Sequence, residues 1–329
     1  MVYNKKQKKI TEELRKTFGK KVIFDHPLSK FTTLGIGGPA QYFISARNEK
    51  DLLTAVRFAK TNNLPLHLIG GGSNIVANDK GIRGVAIQHS ITRLQINKET
   101  QTCRVGAGYP LLKLIHALNR QELSGMERMV GIPGTVGGAI YGCAGAYGQE
   151  IKNCLHSVKI FDGKKTRWIT RQQCHFGYRT SIFKKRRDWI ILEAKFEFTK
   201  ADPKTLQKIS RDIIKLRKKK YPPDLKCPGS FFKNIVIAAI RPASLRKQFL
   251  SKIDQQKINH GKLASGYLLE QVGAKGLKHG DVAVAEYHGN LIYNTGNGTS
   301  KDVKKLASLL KQKVQKRFDI VLEEEVQYI

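Results

Sequence analysis

Two domains, each mixing helices with strands, are what this sequence predicts, and three observations carry the prediction. The chain has 329 residues, room for two domains at roughly 150 residues each. Apolar residues recur at helical spacing in some stretches and in short strand-like runs in others. A stiff polar connector, Tyr221-Pro222-Pro223-Asp224, then interrupts the pattern. With 40% hydrophobic and 26% charged residues the chain can bury a sizeable core, which excludes general disorder. No apolar run approaches the roughly 18 residues of a membrane span, so no membrane insertion is expected. The opening MVYNKKQKKITEELRK has no apolar stretch and does not read as a secretory signal. The five cysteines are scattered without a CxxC, so neither a disulfide framework nor a metal site is expected, and a reducing cytoplasm fits.

Each element follows from its pattern. Residues 4–18 read as a basic helix with Ile10, Leu14 and Phe18 on one stripe. A second helix opens at Asn48-Glu49-Lys50-Asp51, carries Leu52, Val56 and Ala59 on one face, and ends near Asn62-Asn63. Pro65–Ile69 reads as a buried strand; Val85–Gln88 and Thr102–Val105 are further strands. Helix Pro110–Gln121 presents Leu111, Leu114, Ile115 and Leu118. The segment 131–148 has seven glycines in eighteen residues, a composition better suited to wrapping a ligand than to packing a core. Strands are expected at Val158–Phe161 and Trp189–Leu192, and a basic helix over 203–219. Helices Leu263–Val272 and Ser300–Phe318 follow, the second with Ser300 as N-cap, and Asp319–Leu322 reads as a closing strand.

A formal charge of +33 raises nucleic acid or an anionic surface as partners. The excess is spread out: 1–30 carry nine Lys/Arg against three acids, 161–190 nine against two, and 201–220 eight against two. With no nucleic-acid motif beside it, this pattern points to solvated surface and to no specific nucleic-acid site.

The glycine clusters carry the chemistry. A strand leading into Gly70-Gly71-Gly72-Ser73-Asn74 lets successive N–H groups face one concavity, a nest for phosphate without a lysine. It lacks both the P-loop and the Rossmann spacing. Together with Gly35-Ile36-Gly37-Gly38, Gly106-Ala107-Gly108 and 131–148, it favours an extended phosphate-bearing cofactor.

Nine blocks, FTTLGIGGPA, IGGGSNIV, GIPGTVGGA, CAGAYG, FGYRTSIF, GSFFKN, ASGYLLEQVGAKGLKHG, NTGNGTSKDV and LEEEVQYI, run in order from residue 31 to the end. In that order they resemble the UDP-N-acetylenolpyruvoylglucosamine reductase (UDP-N-acetylmuramate dehydrogenase) family. The resemblance implies an α+β fold: an FAD-binding domain of the vanillyl-alcohol-oxidase (PCMH) type in two α+β subdomains, and a C-terminal α+β substrate-binding domain. Residues 1–30 would be a basic N-terminal segment, 31–200 the flavin domain, 201–225 a helix and linker, and 226–329 the substrate domain. It implies non-covalent FAD, NADPH and a UDP-sugar, in peptidoglycan precursor synthesis. Hydride would pass from flavin N5 to C3 of the enolpyruvyl ether and a proton to C2. A monomer is favoured.

That reaction drives negative charge onto the substrate carboxylate, so it needs donors there and an acid near C2. Arg179 matches the family's carboxylate-binding arginine, Ser230 its proton donor, and Glu325 the glutamate that hydrogen-bonds the intermediate. Tyr178, Lys233 and Asn234 are implied for the UDP-sugar or the nicotinamide, and His288 for the diphosphate or the cofactor. The implied cofactor contacts are Gly37, Gly38, Gly70, Gly71, Gly72, Ser73, Asn74, Gly106, Gly108, Gly131, Pro133, Gly134, Thr135, Gly137, Gly138, Gly145 and Ala146. Gly35, Cys143, Ile235, Tyr267 and Glu324 depart from the residues usual in the family. On this reading Glu323 and Glu324 need be no more than a solvated acidic tail. The alternatives are a flavin oxidase of the same fold and a basic nucleic-acid-binding protein.

Overall fold

The computed structural model describes residues 5–329, and the chain divides into two compact units. The first takes in residues 5–26, 40–72 and 83–219; the second takes in 27–39, 73–82 and 220–329. The last crossing, at 219/220, falls beside the two prolines.

The first unit has two cores. Helix Lys5–Phe18 buries the stripe Ile10, Leu14 and Phe18; Asn4, where the pattern was expected to begin, lies outside the described residues. The stripe meets Tyr42 and Ile44 of strand Pro39–Ala46 and Leu52 and Val56 of helix Glu49–Thr61. Asn48 starts that helix by accepting the Asp51 N–H at 2.8 Å. The sheet here runs Val22–Pro27, Pro39–Ala46, Ile82–His89, Leu66–Ile69, with the last two strands parallel. Leu66–Ile69 forms as expected but is not a buried strand. It is the sheet's edge, and Leu66 and Leu68, which share one face, are 37% and 41% exposed.

The second core lies under a five-stranded antiparallel sheet: Thr166–Thr170, Leu155–Phe161, Ile190–Glu197, Thr102–Gly106, Leu94–Asn97. Helix Leu111–Arg120 adds its four apolar residues. The glycine-rich segment 131–148 contains helix Val136–Gly142, and Val136, Ala139 and Ile140 are buried in this core. That segment therefore does pack a core, and Gly137 lies within it, where a Cβ would meet Ala107. Helix Pro203–Lys220 buries Leu206, Ser210 and Ile213 and leaves most of its Lys and Arg exposed.

The second unit closes on Phe231, Phe232 and Phe249, against Val303, Leu306, Leu310, Val314 and Phe318 of helix Ser300–Phe318. Thr299, not Ser300, caps that helix: Thr299 Oγ1 accepts the Asp302 N–H at 3.1 Å, and Asp302 accepts the Thr299 N–H at 3.0 Å. Ser300 is buried one step inside, bonded through Oγ to Asp79 at 2.8 Å. Helix Ser265–Gln271 is shorter than the apolar pattern because Leu263 pairs in strand Lys262–Leu263 with Ile235–Val236. Asp319–Leu322 is not a strand. Asp319 turns left-handed (φ +59°) to end the preceding helix, and the pairing moves on to Gln327–Tyr328, parallel to Ile75–Val76.

Candidate active site

In the first unit the edge strand hands over to Gly70-Gly71-Gly72. A Cβ on Gly71 would lie 2.9 Å from Gly134 Cα, and one on Gly70 2.7 Å from Thr135 Oγ1. Two glycine loops thus touch where backbone alone fits, and helix Val136–Gly142 begins there, with the Gly138 N–H donating to Thr135 Oγ1 at 3.3 Å. Gly131 and Pro133 lie on the second loop, Gly137 inside the helix against Ala107, and Gly106 and Gly108 at the end of strand Thr102–Gly106. Gly145-Ala146 pairs with Gln149-Glu150.

Arg179 stands in the same unit, in the tight turn Gly177–Thr180, closed by the Thr180 N–H to Gly177 O at 3.2 Å. It holds φ +54°, a region that non-glycine residues enter at some cost. Its guanidinium donates to Cys143 O at 3.2 Å and Gly145 O at 2.6 Å and lies 5.2 Å from the Tyr178 ring. The arginine thereby joins the turn to the Cys-Ala-Gly-Ala-Tyr-Gly segment. Cys143 is the left-handed C-cap of helix Val136–Gly142 (φ +46°), a conformation Asn enters more readily than Cys. Burial pushes its thiol up to about 11, so it is a neutral filler.

The second unit gathers the rest. The Gly38 N–H donates to Asn78 O at 2.8 Å, and a Cβ on Gly38 would overlap the Asp79 carbonyl, which fixes the Gly37-Gly38 turn against 77–81. Ser73 and Asn74 fall in this unit. Asn74 donates from Nδ2 to Glu325 O at 3.1 Å, while its own carbonyl accepts the Gln327 N–H at 2.9 Å. Glu325 is also held by its N–H to Phe231 O at 2.8 Å, so Ser230's segment and Glu325's segment run side by side. Phe232 bridges Glu324, and Lys233 pairs with Glu323 through both backbone and ammonium. Glu324 pairs with Lys311 at 2.6 Å. Glu324 is therefore more than a solvated charge, whereas Glu323 makes its pair at the surface with its side chain 72% exposed.

The Ser230 hydroxyl lies 3.0 Å from the Tyr221 hydroxyl. Asn234 Oδ1 accepts the Ser265 N–H at 3.4 Å. His288 begins strand His288–Asn294; its Nε2 is buried and, among the described residues, has no hydrogen-bond partner. Burial first, then Lys220, depresses it to about 4, so at neutral pH it offers a diphosphate no cation.

Sequence reasoning missed Asn290. Buried at 3% exposure, it accepts the Phe232 N–H at 2.8 Å and donates to Phe232 O at 2.8 Å, while its carbonyl accepts the Phe231 N–H at 3.1 Å. Its one signal was its place in the Tyr287-His288-Gly289-Asn290 stretch. Tyr221 was read only as linker. All five cysteines are free thiols; among the described residues no three His, Cys, Asp or Glu side chains gather as a metal site, and no helix is long and apolar enough to cross a membrane.

The close approach of loops 70–72 and 131–135 is made largely of backbone, the kind of surface that suits a dinucleotide diphosphate. The N–H groups that open helix Val136–Gly142 are already taken by Tyr109 O, Ala107 O and Thr135 Oγ1. Comparison with known proteins agrees: residues 40–170 match the family described as FAD binding domain, which makes this an FAD-dependent protein. Residues 221–329 match the UDP-N-acetylenolpyruvoylglucosamine reductase C-terminal domain. The enzyme of that name from Solibacter usitatus is 41% identical over 92% of this chain and 95% of its own length; the one from Bacillus subtilis is 32% identical over 98% of each. The crystal structure of the Thermus caldophilus enzyme superposes with a TM-score of 0.69 at 26% identity, covering 93% of this chain and 97% of that one. The chain belongs to the UDP-N-acetylenolpyruvoylglucosamine reductase family.

Proposed function

We propose that the protein reduces the enolpyruvyl double bond of UDP-N-acetylenolpyruvoylglucosamine to the lactyl ether of UDP-N-acetylmuramate, with NADPH as reductant, in peptidoglycan precursor synthesis. The observation that carries the residue assignment is the side-by-side run of Ser230 and Glu325, tied by the Glu325 N–H to Phe231 O at 2.8 Å. FAD, when bound, would supply the hydride chemistry of the reduction, and the glycine loops 70–72 and 131–135 would hold it.

The protein's own part is charge and proton control. Hydride arrival at C3 pushes charge into the carboxylate, and a guanidinium meets a carboxylate with two parallel N–H donors. Arg179 takes that role, turning donors that serve Cys143 O and Gly145 O towards the substrate. Ser230 delivers the proton to C2, a poor acid made competent by the strong basicity of the enolate carbon. Glu325 hydrogen-bonds the developing enolate. Lys233, Asn234 and Tyr178 contact the sugar nucleotide, and neutral His288 does so as a hydrogen-bonding group. The protein works as a monomer in the cytoplasm.

Ser230→Ala tests the assignment. Flavin bleaching by NADPH keeps its wild-type rate, while reoxidation by the sugar nucleotide slows by roughly a thousandfold in stopped flow. Equal loss of both half-reactions would remove Ser230 from its role.

A further inference from the structure

We propose that Tyr221 is the proton-relay partner of Ser230, a positioning residue that acts through the serine; the proposal rests on Ser230 being the proton donor of the reduction. The two hydroxyls lie 3.0 Å apart, and either could donate. A serine hydroxyl has one proton and two acceptor lone pairs. A Ser230 that spends its proton on C2 cannot also spend it on Tyr221, so during reaction the phenol must be the donor. The direction of this hydrogen bond therefore aims the serine proton at the substrate.

The same contact deals with what the transfer leaves behind. Serine is a far weaker acid than a phenol of pKa about 10, so a nascent Ser230 alkoxide takes the proton of a neighbour already bonded to it. In the step, the Ser230 O–H bond breaks as the C2–H bond forms. The Tyr221 O–H bond breaks as the Ser230 O–H bond re-forms, and the phenolate recovers its proton from water. No electrons leave the pair. Two features hold the relay in place. The Lys220 ammonium lies 5.4 Å from the Tyr221 ring centroid, a favourable site for negative charge developing on the phenol. Ser230 in turn precedes Phe231 and Phe232, which are pinned to Asn290.

Tyr221→Phe deletes one oxygen and tests this. Bleaching by NADPH stays at the wild-type rate. Reoxidation by the sugar nucleotide slows by roughly tenfold to a hundredfold. Its proton inventory in mixed H₂O/D₂O changes from curved, two protons moving, to linear, which a structural role would not produce. Reoxidation within twofold of wild type with an unchanged inventory overturns the relay. Wild-type protein that the sugar nucleotide fails to reoxidise would instead overturn the functional reading itself. 3-Fluorotyrosine at position 221 keeps the shape and the hydrogen bond, so it serves if the phenylalanine variant folds poorly. With the more acidic phenol the alkaline limb of the reoxidation rate moves to lower pH, and an unmoved limb contradicts the relay.

Discussion

Gly71 and Asn290 hold their loops in opposite ways. Around Gly71 the first unit brings two stretches of backbone together by having no side chain, 2.9 Å being all the room a Cβ would find. Around Asn290 the second unit does the reverse: one buried amide satisfies both polar groups of Phe232, and its backbone takes the N–H of Phe231. A surface made of backbone suits a long ligand that needs many weak N–H contacts. A loop fixed by side-chain hydrogen bonds suits a hydroxyl that must be aimed. Under the proposed function, the difference separates cofactor holding from proton delivery.

Asn290→Leu breaks the second arrangement. It leaves the Phe232 N–H and carbonyl buried without partners, at about 1–3 kcal/mol each. Chemical denaturation should show a loss of about 4 kcal/mol, and reoxidation by the sugar nucleotide should suffer more than bleaching by NADPH. A loss under 1 kcal/mol would mean that the loop is held by something else. Acid sharpens the comparison from the first unit's side. His89 is buried and depressed to about 4 by desolvation, against about 6.5 unfolded. Between those values the unfolded chain binds a proton that the folded one refuses. The histidine therefore costs nothing above pH 6.5, and stability falls progressively as pH drops towards 4, by about 3 kcal/mol from this residue. Comparing denaturation at pH 7 and pH 4.5, His89→Leu should lose less than wild type; equal losses would contradict the assignment. Gly71→Ala is the smallest of the three. Its methyl meets Gly134 backbone, which cannot swing aside, so about 2 kcal/mol of stability goes and FAD affinity falls with it. Unchanged affinity by fluorescence titration would place the diphosphate elsewhere.

What the sequence made legible follows the same division. Helical stripes such as Val303–Leu306–Leu310–Val314–Phe318 and the glycine clusters are local patterns, and they mark elements correctly. Asn290 bonds a residue 58 positions away, and Asn74 one 251 positions away; no spacing rule reports such partners. The strand expected at Asp319–Leu322 failed because a left-handed cap at Asp319 delays pairing until Gln327, where Ile75 waits. Ser300 looked like a cap because a serine opens the pattern, but Asp79 claims its hydroxyl and Thr299 caps. Even the three acids near the end, plain surface charge by composition, find Lys233, Lys311 and Phe231 once folded.

The most direct test of the central claim is an anaerobic spectrum of the purified protein through both half-reactions. The account predicts a yellow protein that NADPH bleaches, and whose colour returns on adding UDP-N-acetylenolpyruvoylglucosamine much faster than on adding air. A bleached protein that air restores readily and the sugar nucleotide does not would make it an oxidase and contradict the account.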